Sequence, residues 1–125
     1  MIGSAVAYFL AREHGVHATV LERDPTYSSA SSALSASSIR QQFSTPVNIA
    51  LSQASLALMQ PWRELLGLVE AGYLYLADEP QADAQRALNA TQRAHGADIR
   101  LLERDAMQTR WPWLALDGVA LGSWG

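Results

Sequence analysis

Residues 28–44 read SSASSALSASSIRQQFS, and the role of this stretch decides the fold. A run of serine and alanine is usually a flexible linker. Here it stands between a predicted strand and a strongly patterned helix, which makes a loop that wraps a ligand a serious rival.

Upstream, Val6, Phe9 and Leu10 recur at helical spacing among Ala5, Ala7 and Ala11, and Gly15 follows as a C-terminal cap. Ala18, Val20 and Leu21 then predict a short strand ending on Glu22, broken by Asp24 and Pro25. A glycine opening a helix, a strand, and an acidic residue about twenty positions on are the second half of a dinucleotide-binding fingerprint, G-x-G-x-x-G plus a ribose-binding carboxylate. Gly3 and Glu22 have that spacing. Both also have ordinary readings, as a packed helix start and a solvated loop carboxylate, so the pair by itself is generic.

Downstream, Thr45 is a candidate N-cap and Pro46 suits the first helical position. Leu51, Ala54, Leu58, Trp62, Leu65 and Val69 predict one apolar face, with Pro61 splitting the helix. Tyr73–Ala77 reads as a strand with Tyr73 and Tyr75 on one face, where sheet packing is favoured over a place in a substrate cavity. A helix from Gln81 to His95 closed by Gly96, a strand over Ile99–Leu102 and a short helix capped by Asp105 follow. Trp111 and Trp113 are expected to anchor that short helix, and Val119–Leu121 to begin a last strand. The alternation gives an α/β or α+β class.

The composition, 49% hydrophobic and 17% charged over 125 residues, is that of a folded domain. A net charge of -3 argues against a nucleic-acid partner, which selects a basic face. The absence of cysteine removes disulfides, thiolate nucleophiles and thiolate metal sites. His14, His17 and His95 lack ligand spacing to one another, and no serine sits in a Gly-x-Ser-x-Gly elbow. The apolar run Val6–Leu10 is far short of the roughly 20 residues of a membrane span. Arg12, Glu13 and His14 follow it directly and no basic residue precedes it, which is unlike a signal peptide and points to the cytoplasm.

The segments IGSAVAYFLAREHG, ATVLERD and SSASSALSASSIRQQFSTPVNIALS, followed by AGYLYLA and RWPWL, occur in the order seen in the FAD-dependent oxidoreductases of the D-amino-acid oxidase and sarcosine oxidase superfamily. The chain resembles that family along essentially its whole length, most specifically in the Ser-rich loop and SIRQQFS. The resemblance implies a partial Rossmann-like FAD-binding domain over residues 1–70, lacking its first strand, leading into part of an α+β substrate domain over 71–125. It implies that Gly3 is the third fingerprint glycine, at the helix end that meets the pyrophosphate. Glu22 would bind the adenosine ribose, Arg23 flank the adenine, and Ser31 and Ser32 donate to the pyrophosphate. Ser37, Ser38 and Ile39 would pass the isoalloxazine, with Arg40 near the flavin and the substrate. Many relatives carry a Gly-Gly pair where this chain has Ser37-Ser38, a departure at the closest approach to the ring.

The implied chemistry is hydride transfer to flavin from a carbon next to an amine nitrogen, with an amine or (N-methyl) amino acid as substrate. The flavin would then be reoxidised by oxygen or an electron-transfer partner. No catalytic residue is assigned. The missing front of the fingerprint makes Met1 an expected internal methionine and the chain an expected fragment at both ends, one that purifies colourless and aggregates or only partly folds. The alternatives are a non-catalytic remnant and a small NAD-binding domain; the Ser-rich loop counts against the latter, because a helix usually begins there.

Overall fold

A computed structural model describes residues 2–125, so the expectation placed on Met1 lies outside the described residues. The chain forms two compact units, divided between Ser38 and Ile39. The expected domain boundary near residue 70 falls inside the second of them.

The first unit consists of helix α1 (Ile2–His14) and the loop after it. Gly15 ends α1 at φ +64°, as expected of its glycine, and the Leu10 and Ala11 carbonyls accept from the Val16 and Gly15 N–H groups. The predicted strand over Ala18–Leu21 does not form. A strand exists only through a ladder, and among the described residues the one sheet lies wholly in the second unit. Val20 and Leu21 are accordingly exposed, and no residue of α1 is buried. Residues 23–35 fold into consecutive turns, as a Ser/Ala-rich loop should.

The second unit opens with α2 (Pro46–Met59). Thr45 occupies the N-cap with extended backbone, but its side chain makes no cap bond. Pro61 splits the helix as predicted. A 3-10 turn over Gln60–Trp62 leads into α3 (Arg63–Leu66), which Gly67 closes at φ +62°. The expected apolar face is corrected. Leu51, Leu58, Trp62, Leu65 and Val69 are exposed, and α2 buries Ile49 and Ser52 instead. Ile49 packs with Phe43, Ala97 and Ile99, so the inward face is chosen by contacts with sequence-distant residues and not by the wider apolar stripe.

Strands β1 (Leu74–Ala77), β2 (Arg100–Glu103) and β3 (Leu121–Trp124) form an antiparallel sheet in the order β1-β3-β2. Helix α4 (Glu79–Ala94) carries the chain from β1 to β2, and β3 returns between them. The last strand therefore starts two residues later than predicted and is central. Asp78 caps α4, its carboxylate accepting from the Gln81 N–H at 3.1 Å, so the helix begins before Gln81. The D-x-x-Q pattern at 78–81 is the capping signal for this start. Helix α5 (Arg104–Arg110) has Glu103 at its N-cap, not Asp105, and Trp113 beyond it is 78% exposed, not an anchor.

Side chains alternate across the sheet. Leu121 and Ser123, both fully buried, share one face with Ala77 and Tyr75, their register partners. Gly122 and Trp124 share the other face, where fully buried Met107 of α5 and half-buried Trp111 cover them.

Candidate functional site

In the first unit, Gly3 lies in the first turn of α1, a 13-residue helix whose first-turn N–H groups, as in any helix, have no partner within the helix itself. A Cβ added there would meet nothing closer than Val20 Cγ1, at 3.9 Å. Among the described residues, packing does not demand the glycine.

Glu22 is exposed, and its Oε1 accepts from the Asp24 N–H at 2.9 Å. That bond aims the carboxylate while its second oxygen keeps acceptor capacity. The turn beneath it is built on Asp24. One Asp24 oxygen accepts from Thr26 Oγ1 at 2.6 Å and from the Thr26 N–H at 3.0 Å, and the other from Ser28 Oγ at 2.9 Å. The Thr26 hydroxyl first, then Ser28 and the backbone, hold the Asp24 carboxyl down to about 2 from 3.8. Arg23 beside it is exposed.

Ser31 is exposed and Ser32 half-buried, both in the turn at 31–34. Ser37 stands at φ +51°, in the left-handed region that favours glycine. This is one of the two positions where the resemblance expects glycine. The backbone adopts the glycine-type conformation with a serine in place, held by the Ser37 N–H donating to Ser35 Oγ at 3.1 Å. Ser38 Oγ, at 3.5 Å, reaches the Ala36 carbonyl. A helix N-terminus, an oriented exposed carboxylate and a serine loop are residue types whose chemistry suits the ribose and pyrophosphate of FAD.

In the second unit, Ile39 is exposed and Arg40 is placed by aromatic rings. The Arg40 guanidinium carbon lies 5.2 Å from the Phe43 ring centre, 5.6 Å from that of Tyr75 and 5.9 Å from that of Tyr73. Tyr73 and Tyr75 stack on each other, 5.5 Å apart at 27°. Their alternation at the start of β1, Tyr73 just before it and Tyr75 within it, read from the sequence as sheet packing, thus also builds a floor for a cation. The negative faces of the rings hold the guanidinium without neutralising it. Among the described residues the ion pairs join Arg86–Glu103, Arg100–Asp98 and Arg104–Asp117, and Arg40 is in none of them. A guanidinium so placed can take a carboxylate through two parallel N–H bonds.

Phe43 and Gln42 carry no role that the sequence alone assigns. The Arg-x-x-aromatic spacing of 40–43 is the signal that could have found Phe43. Gln42 had none, because its Nε2 donates to the carbonyls of Tyr73 and Ser123, 31 and 81 residues away.

The pattern of the DAO family, described as FAD dependent oxidoreductase, matches residues 1–124. The chain is 39% identical to the FAD-dependent oxidoreductase domain-containing protein 1 of Xenopus laevis, over all of this chain and 28% of that protein. Against the Bos taurus protein of the same name the identity is 37%, over all of this chain and 29% of its relative. The chain thus spans under a third of the length of the curated relatives it matches. Among solved structures it is similar to the L-proline dehydrogenase from P.horikoshii, with a TM-score of 0.63 and 25% identity, over 70% of this chain and 24% of that one.

Proposed function

The chain belongs to the DAO family of FAD-dependent oxidoreductases, and on that premise we propose that it supplies part of the flavin-holding and substrate-facing surface of an enzyme oxidising an amine or (N-methyl) amino acid. The observation that carries the substrate reading is Arg40, a cation held on aromatic faces and not consumed by an ion pair among the described residues. An amino-acid carboxylate is the anion that such a fork takes in two-point fashion. The similarity to an L-proline dehydrogenase supports a secondary amino acid within that class.

In this reading Glu22 binds the adenosine ribose and Arg23 covers the adenine. The first turn of α1 at Gly3, with Ser31 and Ser32, binds the pyrophosphate. Ser37, Ser38 and Ile39 line the ring, and Arg40 orients the substrate by its carboxylate. FAD, when bound, supplies the two-electron acceptor for oxidation of the carbon next to the amine nitrogen. Residues 1–70 are assigned to the FAD-binding domain and 71–125 to the substrate domain.

The test is a fluorescence titration of FAD into the apoprotein in its full-length context and into its variants. Glu22→Ala should weaken binding by about 1–3 kcal/mol, the scale of a charge-assisted hydrogen bond. Ser31→Ala should cost less, because a neutral hydroxyl contributes less and water replaces it. Unchanged affinity in Glu22→Ala would remove the ribose assignment.

A further inference from the structure

Arg40 is exposed, and residues 39–43 belong to no helix or strand that would fix its direction. Left to itself, a long guanidinium side chain samples many rotamers, and ordering it would oppose binding. The order here comes from beneath. Gln42, only 8% exposed, donates through Nε2 to the Tyr73 carbonyl at 2.9 Å and to the Ser123 carbonyl at 3.0 Å. Ser52 of α2 donates through Oγ to the carbonyl of Arg40 itself. Fully buried Gln92 of α4 reaches the Phe43 carbonyl at 3.4 Å.

Gln42 stands out because its two acceptors belong to the platform. Tyr73 carries one of the rings under Arg40, and Ser123 is the register partner of Tyr75, which carries the second. One neutral amide therefore ties the segment bearing the cation to the stretch that carries both tyrosine rings, at Tyr73, and to the neighbouring strand β3, at Ser123. Glutamate would turn a carboxylate toward two carbonyl oxygens, and methionine has no donor, so neither reproduces the two bonds.

We infer that Gln42 is a positioning residue for Arg40, locking the cation over Tyr73 and Tyr75 so that it meets its anion already oriented. This rests on the reading of Arg40 as the substrate-facing cation. The test is NMR on the full chain, following the Arg40 δ-methylene signals, which the rings shift upfield, together with the Gln42 side-chain amide.

In Gln42→Met, an apolar side chain of similar size, the upfield shift of Arg40 should be lost while the β3 amide signals stay dispersed. Retention of the shift in that folded variant would overturn the inference. If Gln42→Met does not fold, warming the unmodified chain decides. Loss of the Gln42 amide protection and of the Arg40 shift together, below the global melt, supports the lock. An Arg40 shift that outlives the protection overturns it. Adding L-proline as the probe separates the two levels: Arg40 signals that ignore it, with the shift still lost in Gln42→Met, sink the substrate reading and leave the positioning role supported.

Discussion

Met107 lies directly over Gly122, so that a Cβ built on this glycine would overlap the Met107 sulfur and come within 3.3 Å of its Cγ. The central strand thus accepts a buried thioether of α5 where its own side chain would be. Gly122→Ala must displace a side chain that is 0% exposed, and should lower stability by about 1–3 kcal/mol in a urea melt. Met107→Ala should cost about 2–5 kcal/mol. Combining the two should cost less than their sum, because the smaller residue leaves room for the new methyl.

Ser37 carries a glycine-type backbone at φ +51°. Ser37→Gly should relieve that strain and, after the added freedom of the unfolded chain, stabilise the loop by roughly 0.5–1 kcal/mol. Slower cleavage of residues 35–38 in limited proteolysis is the measurement. Faster cleavage would mean that the added backbone freedom of glycine outweighs the relief of the dihedral.

Asp24 offers a pH-dependent handle on the loop that presents Glu22. Its folded carboxyl titrates at about 2 against an ordinary 3.8, so the turn's stabilisation is fully present above 3.8 and is lost as pH falls through about 2. A carbon-detected NMR titration should find the low midpoint. Thr26→Ala, which deletes the largest contributor, should raise it toward the ordinary value. A midpoint unmoved by that substitution would contradict the hydrogen-bond origin.

The two units should differ in hydrogen exchange. None of the described residues through Ser38 is buried, whereas β3 is bonded on both sides and lies under α4 and α5. The amides of α1 should exchange by local opening with little protection, and those of Leu121–Trp124 only on unfolding of the second unit. Equal protection in α1 and β3 would show a tighter first unit than its burial implies.

Much of the local structure was legible because local rules set it. The proline at 46, the split at Pro61, the glycine ending α1 and the period-two tyrosines are properties of a few adjacent residues. The family too was legible, in the order of short motifs around SIRQQFS. Pairing and facing were decided by tertiary structure. Ala18–Leu21 has strand-forming residues but no ladder among the described residues, and α2 turned Ile49 inward because Phe43, Ala97 and Ile99 were there to meet it. At the candidate site, the sequence by itself determined which groups carry charge and hydroxyls: Glu22, Ser31, Ser32 and Arg40. Only the fold brought Phe43, Tyr73 and Tyr75 under Arg40 and placed Gln42 on the carbonyls of Tyr73 and Ser123, because those contacts join residues far apart in the chain that no periodicity relates.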